Sequence, residues 1–249
     1  MIIDNKKDEA FRLINSISIN NEAQLQIINY NQLLAYVYFN KYEQAKTLYE
    51  NMEFSNFLFD SESALALAEY FQKYKESGVS ESIISKAWSA GENAYYIEAF
   101  KNKLSNGGVS DAIRITPYKQ IAEVFFRWSQ TIQRAEQNII NKSFYLSLAN
   151  FTDPTSSFLK FNLATILSDT GNYGLSKEIL DNFSNDDVFF MDSIVENSFA
   201  IEQLDSNESA LEYIQQFIID GYANARLLKT YGSLQRSMSM FQEAIKSYT

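Results

Sequence analysis

The side chains that could carry acid–base or nucleophilic chemistry here are carboxylates, lysines and hydroxyls, because the sequence has no histidine and no cysteine. An imidazole base, a thiolate nucleophile and a thiolate zinc site are therefore excluded. Asp186 and Asp187 adjoin each other where acidic residues favour a helix start, and Glu196 and Glu202 are six residues apart, a spacing that separates them on a helix. The glycine pair at 107–108 lacks the Lys-Ser/Thr of a phosphate-binding loop. We therefore expect no enzyme, no bound metal and no cofactor.

The composition predicts helices rather than strands. The chain has 249 residues, 46% of them hydrophobic, which is ample material for a core. Only two prolines and eight glycines leave few tight turns, and this favours helices joined by short connections. We therefore predict an all-α fold.

Neither a membrane span nor a signal peptide is expected. No run of 18 apolar residues occurs, and the charged start of the chain, Met1 to Ala10, has no apolar stretch behind it. A cytoplasmic location is the expectation; a periplasmic one fits if the native N-terminus lies upstream of this sequence.

A 34-residue interval organises the second half of the chain. Frames that start at Ala122, Ser156, Phe190 and Asn224 place comparable residues at comparable positions. A fixed period of this length is typical of stacked helical hairpins. Eight residues after each start lie Gln130, Ala164, Ser198 and Gly232, and twenty-four residues after each start lie Leu146, Leu180, Ile214 and Tyr248.

The small residues and the turn residues of this pattern have physical roles. Small side chains such as Ala164, Gly232 and Ala244 allow the two helices of a hairpin to approach closely, where a larger side chain would overpack. Asn40 and Gly171 stand where a first helix ends, a place that suits a left-handed backbone.

The last unit carries the family resemblance most fully. From Asn224 it reads NARLLKTYGSLQRSMSMFQEAIKSY, with Tyr231-Gly232, Phe241, Ala244 and Tyr248 at fixed offsets. This pattern resembles the tetratricopeptide repeat, whose 34-residue unit alternates small and aromatic residues in that order. The resemblance covers about 26–59 and 122–249 well, and 60–93 weakly. It implies a right-handed α-solenoid of about six antiparallel hairpins.

The 34-residue frames before and after residues 94–121 are out of phase, and this divides the chain into three predicted segments. Residues 1–103 are predicted to hold N-terminal helical repeats, with units near 26–59 and 60–93. The only dense cluster of chain breakers predicts a connecting loop at 104–119, which either joins two sub-arrays or is an ordinary surface loop. Residues 120–249 are predicted to form the C-terminal array, with units from 122, 156, 190 and 224.

The last predicted unit is cut short at Thr249, inside its second helix. We expect the native protein to continue beyond this residue. The alternative is that another copy supplies the missing part of the hairpin.

The net charge of −10 is unevenly spread. Residues 156–223 hold 12 acidic and 2 basic side chains, whereas residues 224–249 hold 1 acidic and 4 basic. Nucleic acid is an unfavourable partner for the acidic stretch, since phosphate binding requires concentrated positive charge. The simplest interpretation of the acidic residues is a solvated face.

The resemblance implies that certain positions on the first helices line a concave groove that receives a peptide. A cationic row and an apolar floor suit a partner protein or peptide with acidic segments, because arginine binds carboxylates through a bidentate fork. The alternative is that the cations are ordinary solvated residues that pair with the acidic repeats. The groove residues are the cations Arg127, Arg134, Arg226, Lys229 and Arg236 and the apolar side chains Phe158, Phe161, Val195 and Phe199.

Two functions remain open at this point. One is a non-catalytic scaffold or adaptor for protein–protein interaction, with a concave peptide-binding groove. The other is a structural assembly protein that self-associates through the solenoid ends or its convex face. The sequence does not decide the oligomeric state.

Overall fold

The computed structural model of this chain describes residues 6–18, 22–52, 61–89, 116–131, 136–187 and 189–248. The chain divides into two compact units, Met1–Gln120 and Ile121–Thr249. Arg134 and residues 104–115 of the predicted loop lie outside the described residues. Every regular element in the described ranges is a helix and none is a strand, so the prediction of an all-α fold is confirmed for them.

One helix, Pro117–Thr131, contains the boundary between the two units; the helices before it belong to the first unit and those after it to the second. Within the described ranges no helix is long and apolar enough to cross a membrane. The elements are α1 (Lys7–Ser16), α2 (Glu22–Tyr38), α3 (Tyr42–Asn51), α4 (Ser61–Lys73), α5 (Ser77–Ser89) and α6 (Pro117–Thr131); the second unit continues with α7 (Glu136–Thr152), α8 (Ser157–Asp169), α9 (Tyr173–Leu180), α10 (Phe190–Leu204), α11 (Asn207–Ile219), α12 (Ala225–Ser237) and α13 (Phe241–Tyr248).

Two helical hairpins are seen in the described part of the first unit. Helices α2 and α3 form one, α4 and α5 form the other, and α2 also contacts α4. Between the hairpins, the Tyr42 hydroxyl donates to Glu76 (2.6 Å) and the Tyr74 hydroxyl donates to Asn40 (2.7 Å). The rings of Tyr42 and Tyr74 stack 4.3 Å apart. Each of the two hydrogen bonds joins residues 34 apart, so equivalent corners of neighbouring hairpins meet.

In the second unit, neighbours in sequence are neighbours in space. From α7 to α13 each helix packs against the next one, and α10 also packs against both α8 and α12. Helices α9, α11 and α13 begin at Tyr173, Asn207 and Phe241, so their starts are equally spaced and repeat the interval found in the sequence. The even-numbered helices α8, α10 and α12 thus form a row in which each contacts the next, and the odd-numbered helices alternate with them along the chain.

The backbone at the hairpin corners has the predicted handedness. Asn40 has φ 53° and Gly171 has φ 78°, so the expected left-handed residues are confirmed there. Ser239, at the equivalent position of a later unit, has φ 63°. After each of these residues the next amide bonds back across the helix end, for example Asn172 N–H to the Leu167 carbonyl at 2.8 Å. This arrangement satisfies carbonyls that the helix would otherwise leave unpaired.

The structure corrects one boundary of the predicted loop. Helix α6 begins at Pro117, so residues 117–119, assigned above to the loop 104–119, are helical. The Thr116 hydroxyl accepts a hydrogen bond from the Lys119 amide at 3.2 Å. Proline suits the first position of a helix because its missing N–H is not needed there. Thr116 and Pro117 therefore start a helix rather than interrupt one.

Candidate protein-binding surface

One aromatic residue near the start of the second unit, Phe158, packs inside that unit. Phe158 is only 5% exposed. Its ring meets Phe126 edge-on at 4.9 Å and lies 6.2 Å from Phe189. Phe158, expected on the groove floor, thus offers almost no surface to a ligand, because neighbouring rings already cover it.

The other three apolar residues of the predicted floor are more accessible. Phe161 is half-buried and stacks on Phe189 with ring centres 5.1 Å apart. Val195 is half-buried and packs against the core between α10, α11 and α12. Phe199 is 43% exposed and contacts Tyr173 edge-on at 5.9 Å. Phe199 is the most exposed of the four predicted floor residues.

Arg127 already has an acidic partner on its own helix. Its guanidinium lies 2.6 Å from the Glu123 carboxylate, with a second hydrogen bond from Nε at 2.7 Å. Glu123 is buried and Arg127 half-buried. Their spacing of four residues on α6 was the sequence signal for this pair. The positive charge of Arg127 is therefore largely balanced within the protein.

Arg226 also forms an ion pair, here between two helices. Its guanidinium contacts the Asp192 carboxylate, so the start of α12 is tied to the start of α10. The two residues occupy equivalent positions in successive units. Arg226 remains exposed, and a pair of this kind contributes little net stability.

Lys229 and Arg236 differ from these two arginines. Both side chains are exposed on α12, and neither forms an ion pair with any residue that the structure describes. They are seven residues apart, hence on one face of the helix. Ser233 lies between them, with its hydroxyl 3.2 Å from that of Tyr248. This face of α12 presents two cations to solvent, with the half-buried Ser233 hydroxyl between them and the Tyr248 hydroxyl of α13 beside it.

A buried amide fixes α10 between its neighbours. The Asn197 side chain is fully buried and donates to Asp181 at 2.8 Å and to the Tyr213 hydroxyl at 3.0 Å. Burial raises the pKa of Tyr213 to about 12. Asn197 thus links α10, the helix that carries the exposed Phe199, both to the end of α9 and to α11.

Acidic groups lie on the same helix as Phe199. Burial, followed by the nearby Asp169 carboxylate, raises the pKa of Glu196. A further negative charge brought close to Glu196 would be repelled. An acidic ligand group is therefore favoured at α12, beside Lys229 and Arg236, rather than at α10.

Sequence reasoning missed two concave features within the first unit. One is a mostly apolar cavity of about 270 Å³, lined among others by Ile14, Leu34 and Pro117. The other is an open groove of about 490 Å³ along α2 and α3, lined among others by Gln32 and Gln44. Residues from separate segments form the first, and amides without a distinctive motif line much of the second, so neither had a signal in the sequence.

No group of three or more carboxylates within the described ranges is arranged to hold a metal ion. The described surface of α10 and α12 exposes one aromatic side chain, Phe199, and, besides the paired Arg226, the two cations Lys229 and Arg236. In comparisons with known proteins, no family model matches the chain and no curated protein shows significant similarity to it.

Proposed function

We propose that this chain is a non-catalytic scaffold or adaptor of the tetratricopeptide type, a right-handed α-solenoid that binds a peptide segment of a partner protein. Three observations support the repeat architecture: helices pack in sequence order, second helices recur at the interval of the sequence repeat, and left-handed residues close the hairpins. Repeats of this kind create extended surfaces for other chains.

The observation that carries the proposal is the exposed pair Lys229 and Arg236 on α12. Arg127 and Arg226 have carboxylate partners, so a ligand would have to compete with an existing ion pair there. Lys229 and Arg236 have no such competitor among the described residues. An acidic ligand segment would gain charge-assisted hydrogen bonds at these two positions.

Phe199 on the neighbouring helix supplies the apolar part of the surface. Helices α10 and α12 pack directly against each other. The exposed edge of Phe199, supported by Tyr173, can cover a large apolar side chain of the ligand. The ligand is therefore a segment in which acidic residues lie beside a large apolar residue.

A peptide selection tests this specificity. Wild-type protein is exposed to a random peptide display library, and we expect the bound peptides to be enriched in Asp and Glu beside an apolar residue. The affinity of a selected peptide is then measured by fluorescence anisotropy. Lys229→Glu/Arg236→Glu should weaken binding by about tenfold or more, since each exposed charge contact contributes up to about 1 kcal/mol.

The matched control is Arg12→Glu/Lys73→Glu, which reverses one exposed arginine and one exposed lysine in the first unit. It changes the net charge equally, so long-range electrostatics are the same to a first approximation. The proposal fails if both double variants bind the selected peptide equally well, or if the selected peptides show no acidic preference.

A further inference from the structure

Residues of α10 lie beside their repeat equivalents on α12. Asp192 and Arg226 are 34 residues apart in the sequence, and their side chains form an ion pair between these two helices. Phe199 and Ser233 are also 34 residues apart. Each of them follows a member of the ion pair by seven positions, hence by two turns along the same helix face. Phe199 therefore lies beside Ser233.

The ring of Phe199 is thus level with the gap between two exposed cations. Lys229 precedes Ser233 by four residues and Arg236 follows it by three, on one face of α12. At a rise of about 1.5 Å per residue, the backbone positions of the two cations are about 10 Å apart. A ligand that binds both cations must present two carboxylates at about this distance, with its apolar group between them and to one side.

The carboxylates of α10 confine the acidic groups of a ligand to α12. Glu196 and Glu202 lie three residues before and three residues after Phe199, and both are half-buried. A ligand carboxylate placed over α10 would be repelled by their charges, whereas one placed over α12 meets a cation. The apolar side chain of the ligand therefore lies on α10 and its acidic side chains lie on α12.

The composition of the α12 surface favours an extended ligand over a helical one. A helical ligand packs its apolar stripe against an apolar groove. No large apolar side chain is exposed on α12, which the structure describes along its whole length, because Leu227 and Leu234 belong to the core. A ligand helix laid along α12 would find only cations and polar groups there.

The separation of the cations then selects the spacing of the ligand's acidic residues. In the polyproline II conformation the chain rises about 3.1 Å per residue and makes a turn every three residues, so side chains i and i+3 share a face about 9 Å apart. In a β-strand, side chains on one face are two or four residues apart, at about 7 or 13 Å. The polyproline II value is nearest to the separation on α12. The two residues between the acidic ones point to the sides, so that one of them faces Phe199.

We propose that the ligand is an extended segment with two acidic residues three positions apart and a large apolar residue between them. One carboxylate binds Lys229 and the other binds Arg236, while the apolar side chain covers Phe199. The proposal rests on the peptide-binding function proposed above, and it adds the spacing and the order of the ligand's residues.

The test uses the whole chain and labelled peptides of one composition: two Asp, one Leu and five Ser. In three such peptides the Asp residues are two, three or five positions apart, always with Leu between them. Their net charge is equal, so long-range attraction does not distinguish them. In fluorescence anisotropy, the peptide with Asp residues three positions apart should bind at least about threefold tighter than the other two, since each of those loses one exposed charge contact.

Substitutions on the protein locate this preference. Arg236→Gln leaves Lys229 as the one cation of the pair, so the three peptides should then bind equally. Arg236→Lys keeps the charge and should keep the preference. The matched control Arg12→Gln removes an exposed arginine from α1 and should also keep it. Circular dichroism checks that each variant folds, and Lys229→Gln replaces Arg236→Gln if that variant does not.

Two further probes separate the failure of this proposal from that of the proposed function. One is the three-position peptide with Asn in place of both Asp residues, and the other has a single Asp. Equal binding of the three acidic peptides by the wild type, with weaker binding of the Asn peptide, would overturn the spacing and leave the proposed function intact. So would a single-Asp peptide that binds as tightly as the three-position peptide, because one carboxylate would then bridge both cations. If no peptide binds, or if the Asn peptide binds as tightly as the acidic ones, both proposals fail.

Discussion

The ring of Tyr248 lies directly on Gly232: a Cβ atom added to that glycine would come within 2.7 Å of Tyr248 Cε1. Gly232 on α12 thereby allows the close approach of α13. The prediction that a small residue is needed at this position is confirmed by that contact.

We expect Gly232→Ala to change the free energy of unfolding differently in two backgrounds. Alanine favours a helix interior over glycine by about 1 kcal/mol, whereas overpacking costs about 1–3 kcal/mol. In the Tyr248→Ala background the ring is gone, so Gly232→Ala should raise the free energy of unfolding by about 1 kcal/mol. In the wild-type background that gain should disappear. Urea denaturation of the four proteins measures the coupling, and an equal effect in both backgrounds would contradict the contact.

A second prediction concerns the start of α12. The Asn224 side-chain oxygen accepts a hydrogen bond from the Leu227 amide at 2.8 Å, which caps the helix. Asn224→Ala should lower the free energy of unfolding by about 1 kcal/mol, because the amide loses its partner. Asn224→Asp retains an acceptor and should stay close to the wild type in urea denaturation. If both variants lose the same stability, the cap does not contribute as the geometry indicates.

The ion pair between the first unit's hairpins predicts a pH dependence. The Lys46 ammonium, followed by the Tyr42 hydroxyl, lowers the pKa of Glu76 below its ordinary value of 4.5. A lowered folded-state pKa gives stability that is present above the unfolded value and lost as the pH falls through the folded one. Glu76→Gln should therefore melt below the wild type at neutral pH, and the difference should shrink as the pH falls below 4.5.

The control for Glu76→Gln is Glu50→Gln, which removes an exposed carboxylate from α3 and leaves the Lys46–Glu76 ion pair intact. Thermal melting followed by circular dichroism serves for both variants. A Glu76→Gln difference that stays constant from neutral to acidic pH would show that the ion pair is not the cause.

Glu196, in the second unit, is expected to give the opposite dependence of stability on pH. Burial and the neighbouring Asp169 carboxylate raise its pKa above the ordinary 4.5, so the charged form is disfavoured in the folded protein. A raised folded-state pKa gives stability that is full below the unfolded value and lost as the pH rises. Glu196→Gln should melt above the wild type at neutral pH, and the two should converge as the pH falls to 4.5. Glu202→Gln, on the same helix, is the control, and a wild type that melts at or above Glu196→Gln at neutral pH would refute the assignment.

One feature of the candidate surface was readable from the sequence. The seven-residue spacing of Lys229 and Arg236 placed both on one face of α12, and the structure exposes both. The ion pairs of Arg127 with Glu123 and of Arg226 with Asp192 were not predicted and are findings of the structure. The spacing of Lys229 and Arg236 is local, so the order of the residues specifies it.

Other features required the packed helices. Phe158 is covered by Phe126 and Phe189, which come from different segments, so its burial has no local signal. The sequence did not reveal that α6 begins at Pro117, because a proline can either interrupt a helix or begin one. The hydrogen bond from the Lys119 amide to the Thr116 hydroxyl shows that Pro117 begins the helix.

The sequence alone determined the helical class and the interval, because few glycines and prolines and a regular recurrence leave little choice of local structure. The repeat in the sequence places Leu211 and Ile245 at equivalent positions of successive units. Only the tertiary structure separates them: α12 packs against α11 and buries Leu211, whereas Ile245 on α13 is 57% exposed. A repeat specifies which side chains share a face, but burial depends on whether another helix lies over that face.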